Sequence, residues 1–228
     1  LEFRRVLFRS ELDKYFKTDD LKKCSRFWII LFKTILSKLY HWKIYVVGSV
    51  EYQYPNHLFQ AGYFLDKKYY DENTIDFKHL LLSEKNQSLL KDIQNSNSVG
   101  VHIRRGDYMT KQNLVIFGNI CTQKYYHDAI RIITEKVNDA VFYVFSDDIS
   151  WVQTHLDIPN AVYVNWNTGE SSIYDMYLMS SCKYNIIANS TFSYWAARLN
   201  KKTNMVIYPS KWYNTFTPDI FPESWCGI

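Results

Sequence analysis

The chain has 228 residues, long enough to bury a core without disulfide or metal staples and short enough for one or two domains. Hydrophobic residues make up 47% and charged residues 22%, near the average for soluble globular proteins, which excludes a disordered tail, a collagen-like repeat and a polytopic membrane protein. Lys plus Arg outnumber Asp plus Glu by 27 to 23, and the resulting +4 does not point to nucleic acid but suits an anionic small ligand or a loose association with an anionic membrane face.

The first ten residues, LEFRRVLFRS, carry no signal-peptide pattern, because Arg4 and Arg5 interrupt the apolar run and no small-residue cleavage site follows. They read as a foreign linker- or adapter-like segment, with a natural basic leader as the alternative. Since no Met opens the chain, an N-terminally truncated piece is expected. Residues 26–47, RFWIILFKTILSKLYHWKIYVV, are the most hydrophobic stretch, but Lys33, Lys38, His41 and Lys43 break it at short intervals. A membrane span needs about 20 mainly apolar residues. The spacing predicts a core-facing helix running into a strand, or else an amphipathic helix on a membrane surface. Gly62-Tyr63-Phe64 followed by Asp66 to Tyr70 suggests a turn and a short aromatic helix. Residues 83–95 read as a helix capped by Ser83, ending in the polar string Gln94 to Ser98, where a domain boundary is expected. The division is then 1–10 as the foreign segment, 11–97 as the remainder of an N-terminal domain, and 98–228 as a second domain.

The second domain is regular. Val99–Ile103 is a short apolar strand, and residues 122–137 form a helix with Ala129, Ile132, Ile133 and Val137 on one face. Val141–Phe145 is a continuous apolar run, as in a strand buried on both faces. A short helix over 149–156, a strand at Ala161–Val164, a helix over 172–181 behind Ser171, a strand at Tyr184–Ala188, a helix over 191–199 behind Ser190 and a strand at Met205–Tyr208 follow. Five strands alternating with helices through short connections predict an α/β fold, a Rossmann-like parallel sheet with helices on both faces. Cys24, Cys121, Cys182 and Cys226 form no CxxC pair and read as reduced thiols of a cytosolic protein, with two disulfides the alternative that an even count leaves open.

Ligands of such folds bind beyond the carboxyl ends of the strands, so the polar residues after each strand are the candidates. They are His102 to Asp107, Ser146-Asp147-Asp148, Asn165 to Asn167, Asn189-Ser190-Thr191 and Ser210-Lys211. In His102-Ile103-Arg104-Arg105-Gly106-Asp107-Tyr108, adjacent arginines on extended backbone point to different sides, so at least one can face the crevice. Gly106 allows a sharp turn. Arginine forks bind phosphate bidentately; the alternative is pairing with surface carboxylates. Asn189-Ser190-Thr191-Phe192-Ser193 lies at a strand-to-helix turn, where N–H groups and three hydroxyls favour an anion, or where Ser190 is an ordinary N-cap. Asp147 and Asp148 are adjacent and lack a third ligand, so helix capping is preferred to metal binding. His57, His79, His127 and His155 lack ligand spacing. Asn86-Gln87-Ser88 and Asn189-Ser190-Thr191 are glycosylation sequons by chance.

The HxRRGDY motif at 102–108, the SDD after Phe145 and DMYLMSSCKYNIIANSTFSYWAARLN at 175–200 resemble the GDP-fucose-dependent α-1,2-fucosyltransferases of glycosyltransferase family 11. GYF at 62–64, KYY at 68–70 and YPSKWYN at 208–214 also fit. The resemblance covers roughly residues 11–228, and the order and spacing of the motifs together are specific, whereas the double-arginine motif is shared with other fucosyltransferases. It implies a GT-B-like fold with an incomplete N-terminal domain, and an inverting, metal-independent transfer of L-fucose from GDP-β-L-fucose to the 2-hydroxyl of a terminal galactose on a glycan acceptor. No cofactor is implied beyond the donor substrate. By the motif match Arg104 and Arg105 would hold the pyrophosphate, Arg105 foremost, with His102 orienting the loop. Asn189, Ser190, Thr191 and Ser193 would form the phosphate cradle, and Asp175 would contact guanine or ribose. Asp107 is the candidate general base, or else it locks the arginines in place. The family's Gly-rich GGLGNQMFQ opening is absent, Tyr184 stands where His is common, and Tyr194 where Trp is common. The implied location is the cytoplasm, with peripheral contact at the inner membrane face as a variant. A catalytically inactive nucleotide-sugar-binding fragment and a fucosyltransferase of another linkage are the alternatives.

Overall fold

The computed structural model describes residues 15–17, 45–48, 59–62 and 76–228. The adapter-like segment, the hydrophobic stretch ahead of Tyr45 and the aromatic turn after Gly62 lie outside the described residues. The chain divides into two compact units, Leu1–Lys17 with Ile75–Thr217 and Pro222–Ile228 in the first, and Thr18–Thr74 with Pro218–Phe221 in the second. In the first unit β1 (Phe16–Lys17) pairs antiparallel with β4 (Asp76–Phe77), stacking Phe16 on Phe77 at 5.1 Å between ring centroids. In the second, β2 (Tyr45–Gly48) and β3 (Phe59–Gly62) pair in parallel, with Tyr45 opposite Phe59.

The core of the first unit is a six-stranded sheet of β5 (Asn97–Ile103), β6 (Ala140–Ser146), β7 (Ala161–Val164), β8 (Tyr184–Ile186), β9 (Met205–Tyr208) and β10 (Cys226–Gly227). The order is β10-β9-β8-β5-β6-β7 and every pairing is parallel. This is the α/β, Rossmann-type sheet expected from the alternating pattern. The sixth strand was not legible: β10 has only two residues, too few for any periodicity. The chain starts in the middle of the sheet with β5, builds one flank through β6 and β7, then crosses back to build the other from β8. The strand order therefore reverses between β5 and β8, where open α/β sheets form their ligand crevice.

Among the described residues, six helices accompany the strands: α1 (Glu84–Asn95), α2 (Lys111–Phe117), α3 (Gln123–Thr134), α4 (Ile149–His155), α5 (Ser172–Met179) and α6 (Thr191–Arg198). On one face of β5, Val99, Val101 and Ile103 join a buried cluster with Tyr126, Ala129 and Ile133 of α3. On the other, a Cβ at Gly100 would stand 3.0 Å from Met179 Cγ and 2.9 Å from Asn185 Nδ2, so glycine lets α5 approach the central strand. Because both faces are covered, β5 and β6 show no polar alternation.

The boundary expected at 97/98 falls inside this unit instead. Ser98 is fully buried and its hydroxyl accepts the Lys183 N–H at 3.1 Å, while Asn97 Nδ2 donates to the Asn138 carbonyl at 2.9 Å. The polar string thus spans the end of α1 and the first two residues of the central strand, where Asn97 and Ser98 satisfy neighbouring backbone rather than solvate a linker. Helix α1, on its other side, buries Leu89 and Ile93 and packs against α5 and β5.

Candidate functional site

A cleft of about 480 Å³ opens beyond the carboxyl ends of β5, β6, β7 and β8. His102 and Arg104 reach it from β5, Ser146 and Asp147 from β6, Asn165 and Asn167 from β7, and Ser190 and Thr191 from the β8–α6 turn, with Asp175 entering from α5. The strand-end residues of four of the five predicted strands therefore share one cavity.

Of the two arginines, Arg104 is the one that lines this cleft. Its fork is held between two carboxylates: Nη2 donates to Asp107 Oδ1 at 2.6 Å, and Nη1 pairs with Asp147 Oδ2 at 2.9 Å. Arg105 turns away. Its Nε donates to Asp148 Oδ2 at 3.1 Å, and its guanidinium covers Trp151 at 3.6 Å from the ring centroid, beside a separate cavity of about 230 Å³. Trp151 stacks in turn on His155 at 4.6 Å. The greater weight given to Arg105 therefore shifts to Arg104, since only the side chain on the cleft side of the extended backbone can meet a ligand there. Asp107 does not line the cleft; its carboxylate is tied to Arg104 and its carbonyl accepts from Asn113 Nδ2 at 2.8 Å. In this geometry it does what the alternative reading held, locking the arginine.

Asp147 and Asp148 tie the β6 end to the arginine loop. Asp147 Oδ1 accepts the Arg105 N–H at 2.9 Å, and Asp148 Oδ1 caps α4 by accepting from Trp151 N–H at 3.2 Å. Gly106 is needed for close approach: a Cβ there would lie 2.4 Å from Asp147 Oδ2. Its backbone does not require the left-handed region, so the expected conformational reason gives way to a packing one.

His102 is buried, with its ring 5.1 Å from that of Phe192 and its Nδ1 unpartnered. Burial, and then the Arg104 charge, push its pKa down to about 3, so the imidazole is neutral. Its carbonyl accepts from Tyr126 Oη at 3.2 Å. Asp175 shows the opposite effect: burial drives its pKa up to about 7, against the lowering by Asn167 Nδ2, which donates to Oδ1 at 2.7 Å. Burial likewise raises the Tyr108 phenol, whose hydroxyl donates to the Asn189 carbonyl at 2.9 Å.

Two members of the predicted cradle point elsewhere. Asn189 Nδ2 donates to the Phe117 and Trp212 carbonyls, both at 3.1 Å, and its Oδ1 accepts from Cys121 Sγ at 3.4 Å. Its amide is consumed in joining three segments. Ser193 is fully buried and its hydroxyl donates back to Ala188 and Ser190 carbonyls, as a helical serine does when no polar neighbour faces it. Ser190 and Thr191 do line the cleft, and Ser190, at the N-cap position of α6, makes no side-chain cap bond. Asn86 and Asn189, the sequon asparagines, are both buried.

Sequence reading missed α2 and the 3-10 turn Gly106–Met109 before it, although Thr110 caps α2 by accepting from the Asn113 N–H. It also missed Trp151 and Asn86, which carry no local signal. Cys121, Cys182 and Cys226 are free thiols, with Cys121 pushed up to about 12 by burial. Among the described residues, no helix is long and apolar enough to cross a membrane.

The chain is similar to an α-1,2-colitosyltransferase of Escherichia coli, 35% identical over 79% of this chain and 63% of the relative. It is 44% identical to the O-antigen biosynthesis glycosyltransferase WbnK of Escherichia coli over 53% of this chain and 40% of the relative. A galactoside α-(1,2)-fucosyltransferase 2 of Pongo pygmaeus is 28% identical over 66% of this chain and 48% of its own length. The chain thus spans less than two thirds of the length of each of these relatives. The model of the glycosyl transferase family 11 matches residues 11–228, which take in the arginine loop, the β6 carboxylates and the β8–α6 turn around the cleft, and the chain belongs to that family.

Proposed function

We propose that the chain transfers L-fucose from GDP-β-L-fucose to the 2-hydroxyl of a terminal galactose with inversion at the sugar carbon. The observation that carries this reading is the meeting of Arg104, Ser190, Thr191 and Asp175 in one cleft at the point where the strand order reverses. The names of the relatives, two of which specify α-1,2 linkage, support the linkage.

In the step proposed, the bond from fucose C1 to the β-phosphate oxygen breaks and its electron pair leaves with GDP. The galactose O2 forms the new bond to C1 from the opposite face, and its proton passes to a base. Arg104 neutralises charge gathering on the diphosphate, a fixed donor being worth more than mobile water. To do so it exchanges a carboxylate for a phosphate oxygen. Asp107, tied to Arg104 and outside the cleft lining in the ligand-free chain, is the carboxylate exchanged in this scheme, and once released it takes the proton of the galactose O2, which joins the two roles considered for it. Ser190 and Thr191 add hydroxyl donors beside the start of α6. The reaction needs no metal in this scheme, since the guanidinium supplies the positive charge.

The colitosyltransferase relative favours a second reading in which the donor sugar is colitose. Incubating the full chain with GDP-fucose or the corresponding colitose donor, and with lactose as acceptor, in the presence of EDTA or of divalent cations, separates the cases. GDP release dependent on lactose and insensitive to EDTA is expected with the fucose donor. Turnover with the colitose donor alone favours the second reading, GDP binding without turnover a non-catalytic one, and neither binding nor release overturns both.

A further inference from the structure

Asp175 does not stand alone in the cleft wall. Asn167 Nδ2 donates to its Oδ1 at 2.7 Å and also to Asn86 Oδ1 at 3.1 Å. Asn86 Nδ2 returns a bond to Asn167 Oδ1 at 2.9 Å, and Asn86 Oδ1 accepts as well from Trp166 Nε1 at 2.8 Å. Lys85 Nζ lies over the Trp166 ring at 3.7 Å from the centroid. Asn86 is 1% exposed and comes from α1, 81 residues before Asn167. The reciprocal amide pair fixes which way Asn167 faces. Rotated by half a turn, its carbonyl oxygen would meet the Asp175 carboxylate and its amide would lose the Asn86 acceptor.

We infer that Asn167, locked by Asn86 and Trp166, is a positioning residue that holds the Asp175 carboxylate in the cleft wall for the base contact the motif match implies, in which it accepts from the two neighbouring N–H donors of a guanine. The inference rests on the reading that a nucleotide donor occupies the cleft. Adenine presents a ring acceptor at the equivalent place, so the same carboxylate disfavours it. The electrostatics agree: burial pushes the Asp175 pKa up to about 7, and the Asn167 bond opposes that rise. The charged groups on the elements packed against α5 are Glu84, Lys85, Lys91 and Asp92 of α1, Arg198 of α6 and Glu170 in the turn ahead of α5; Arg104 and Asp147 line the same cleft.

The test combines two measurements on the full chain and on Asn167→Leu, with Asn167→Asp as a second variant and Asp175→Asn to assign the resonance. The ligand-free Asp175 carboxyl is titrated by carbon NMR, and GDP and ADP binding are followed by calorimetry from pH 6 to 9. In Asn167→Leu the carboxyl titration rises by about one unit, the effect of one charge-assisted hydrogen bond. GDP binding then weakens about fivefold at pH 7 and recovers at pH 9, since the ionised fraction falls from about one half to about one tenth at neutrality. Asn167→Asp moves the titration further up. A titration unchanged in both variants overturns the positioning role, as does a GDP affinity lowered equally at every pH. Failure of the unsubstituted chain to bind GDP, with the titration shift intact, overturns the nucleotide reading and leaves the carboxylate-positioning role standing.

Discussion

Gly106→Ala tests the architecture of the arginine loop with a single methyl group. The added carbon would sit 2.4 Å from Asp147 Oδ2 and 3.1 Å from its Cγ, whereas comfortable contact begins near ~3.4 Å, so the carboxylate must retreat by about 1 Å. It is not free to do so. Oδ2 is held by Arg104 Nη1 at 2.9 Å and Oδ1 by the Arg105 N–H at 2.9 Å, and a retreat of that size breaks at least one of them. A hydrogen bond to a charged group contributes about 1.5–3 kcal/mol, and partial solvent access at this loop brings the expected loss to the low end, about 2 kcal/mol. Urea unfolding followed by circular dichroism measures it, and a fall in melting temperature of about 4–8 °C accompanies it. The decisive comparison is the same substitution in an Asp147→Ala background, where the methyl meets empty space and Gly106→Ala should change stability by less than about 0.5 kcal/mol. Equal destabilisation in both backgrounds would refute the reasoning, because the loss would then come from backbone conformation and not from the carboxylate.

The other predictions concern charge. Arg104→Ala should lower kcat by about 10²–10³, with Arg104→Lys recovering only part because an ammonium lacks the fork, and Arg105→Ala should lose less; a larger loss at Arg105 than at Arg104 in lactose-dependent GDP release would reverse the assignment. His102 should remain a neutral imidazole in nitrogen NMR spectra down to about pH 4. Its lowered pKa means that the unfolded chain takes up the proton first, so its contribution to stability is complete above about 6.5 and is lost as pH falls toward 3. An imidazolium signal at pH 6 contradicts this. Asp175 has the reverse sign: its carboxyl ionises in the unfolded chain near 3.8 but in the fold only near 7, so stability declines as pH rises through that window. Asp175→Asn should therefore be more stable than the parent at pH 8, by on the order of 3 kcal/mol, and equal to it at pH 4. Parallel stability-against-pH curves for the two proteins would rule out the buried carboxylate.

Much of the fold is written locally. Continuous apolar runs such as Val141–Phe145, alternating with amphipathic segments such as 123–134, require strands covered on both faces, and short connections then require a parallel sheet. The same pattern marked the strand ends, and with them most of the cleft: His102, Arg104, Asn167, Ser190 and Thr191 all follow an apolar run. Side-chain periodicity reports how much of a residue is covered, and strand ends follow from it. It does not report what does the covering. That Arg104 rather than Arg105 enters the cleft depends on Asp147 and Trp151 arriving from β6 and α4 about 40 residues later. Asn189 and Ser193 satisfy every local criterion for a phosphate cradle, yet packed carbonyls from Phe117, Trp212 and Ala188 claim their polar atoms. Asn86 looked like part of another domain, and pairing with a residue 81 positions away makes it a support of the site. Local pattern therefore decided the elements and the edge at which a ligand binds, while long-range contacts decided which side chains at that edge face the cleft: Asn189 is turned to the Phe117 and Trp212 carbonyls by packing that no local pattern reports, and Arg104 is held at the cleft wall by Asp147.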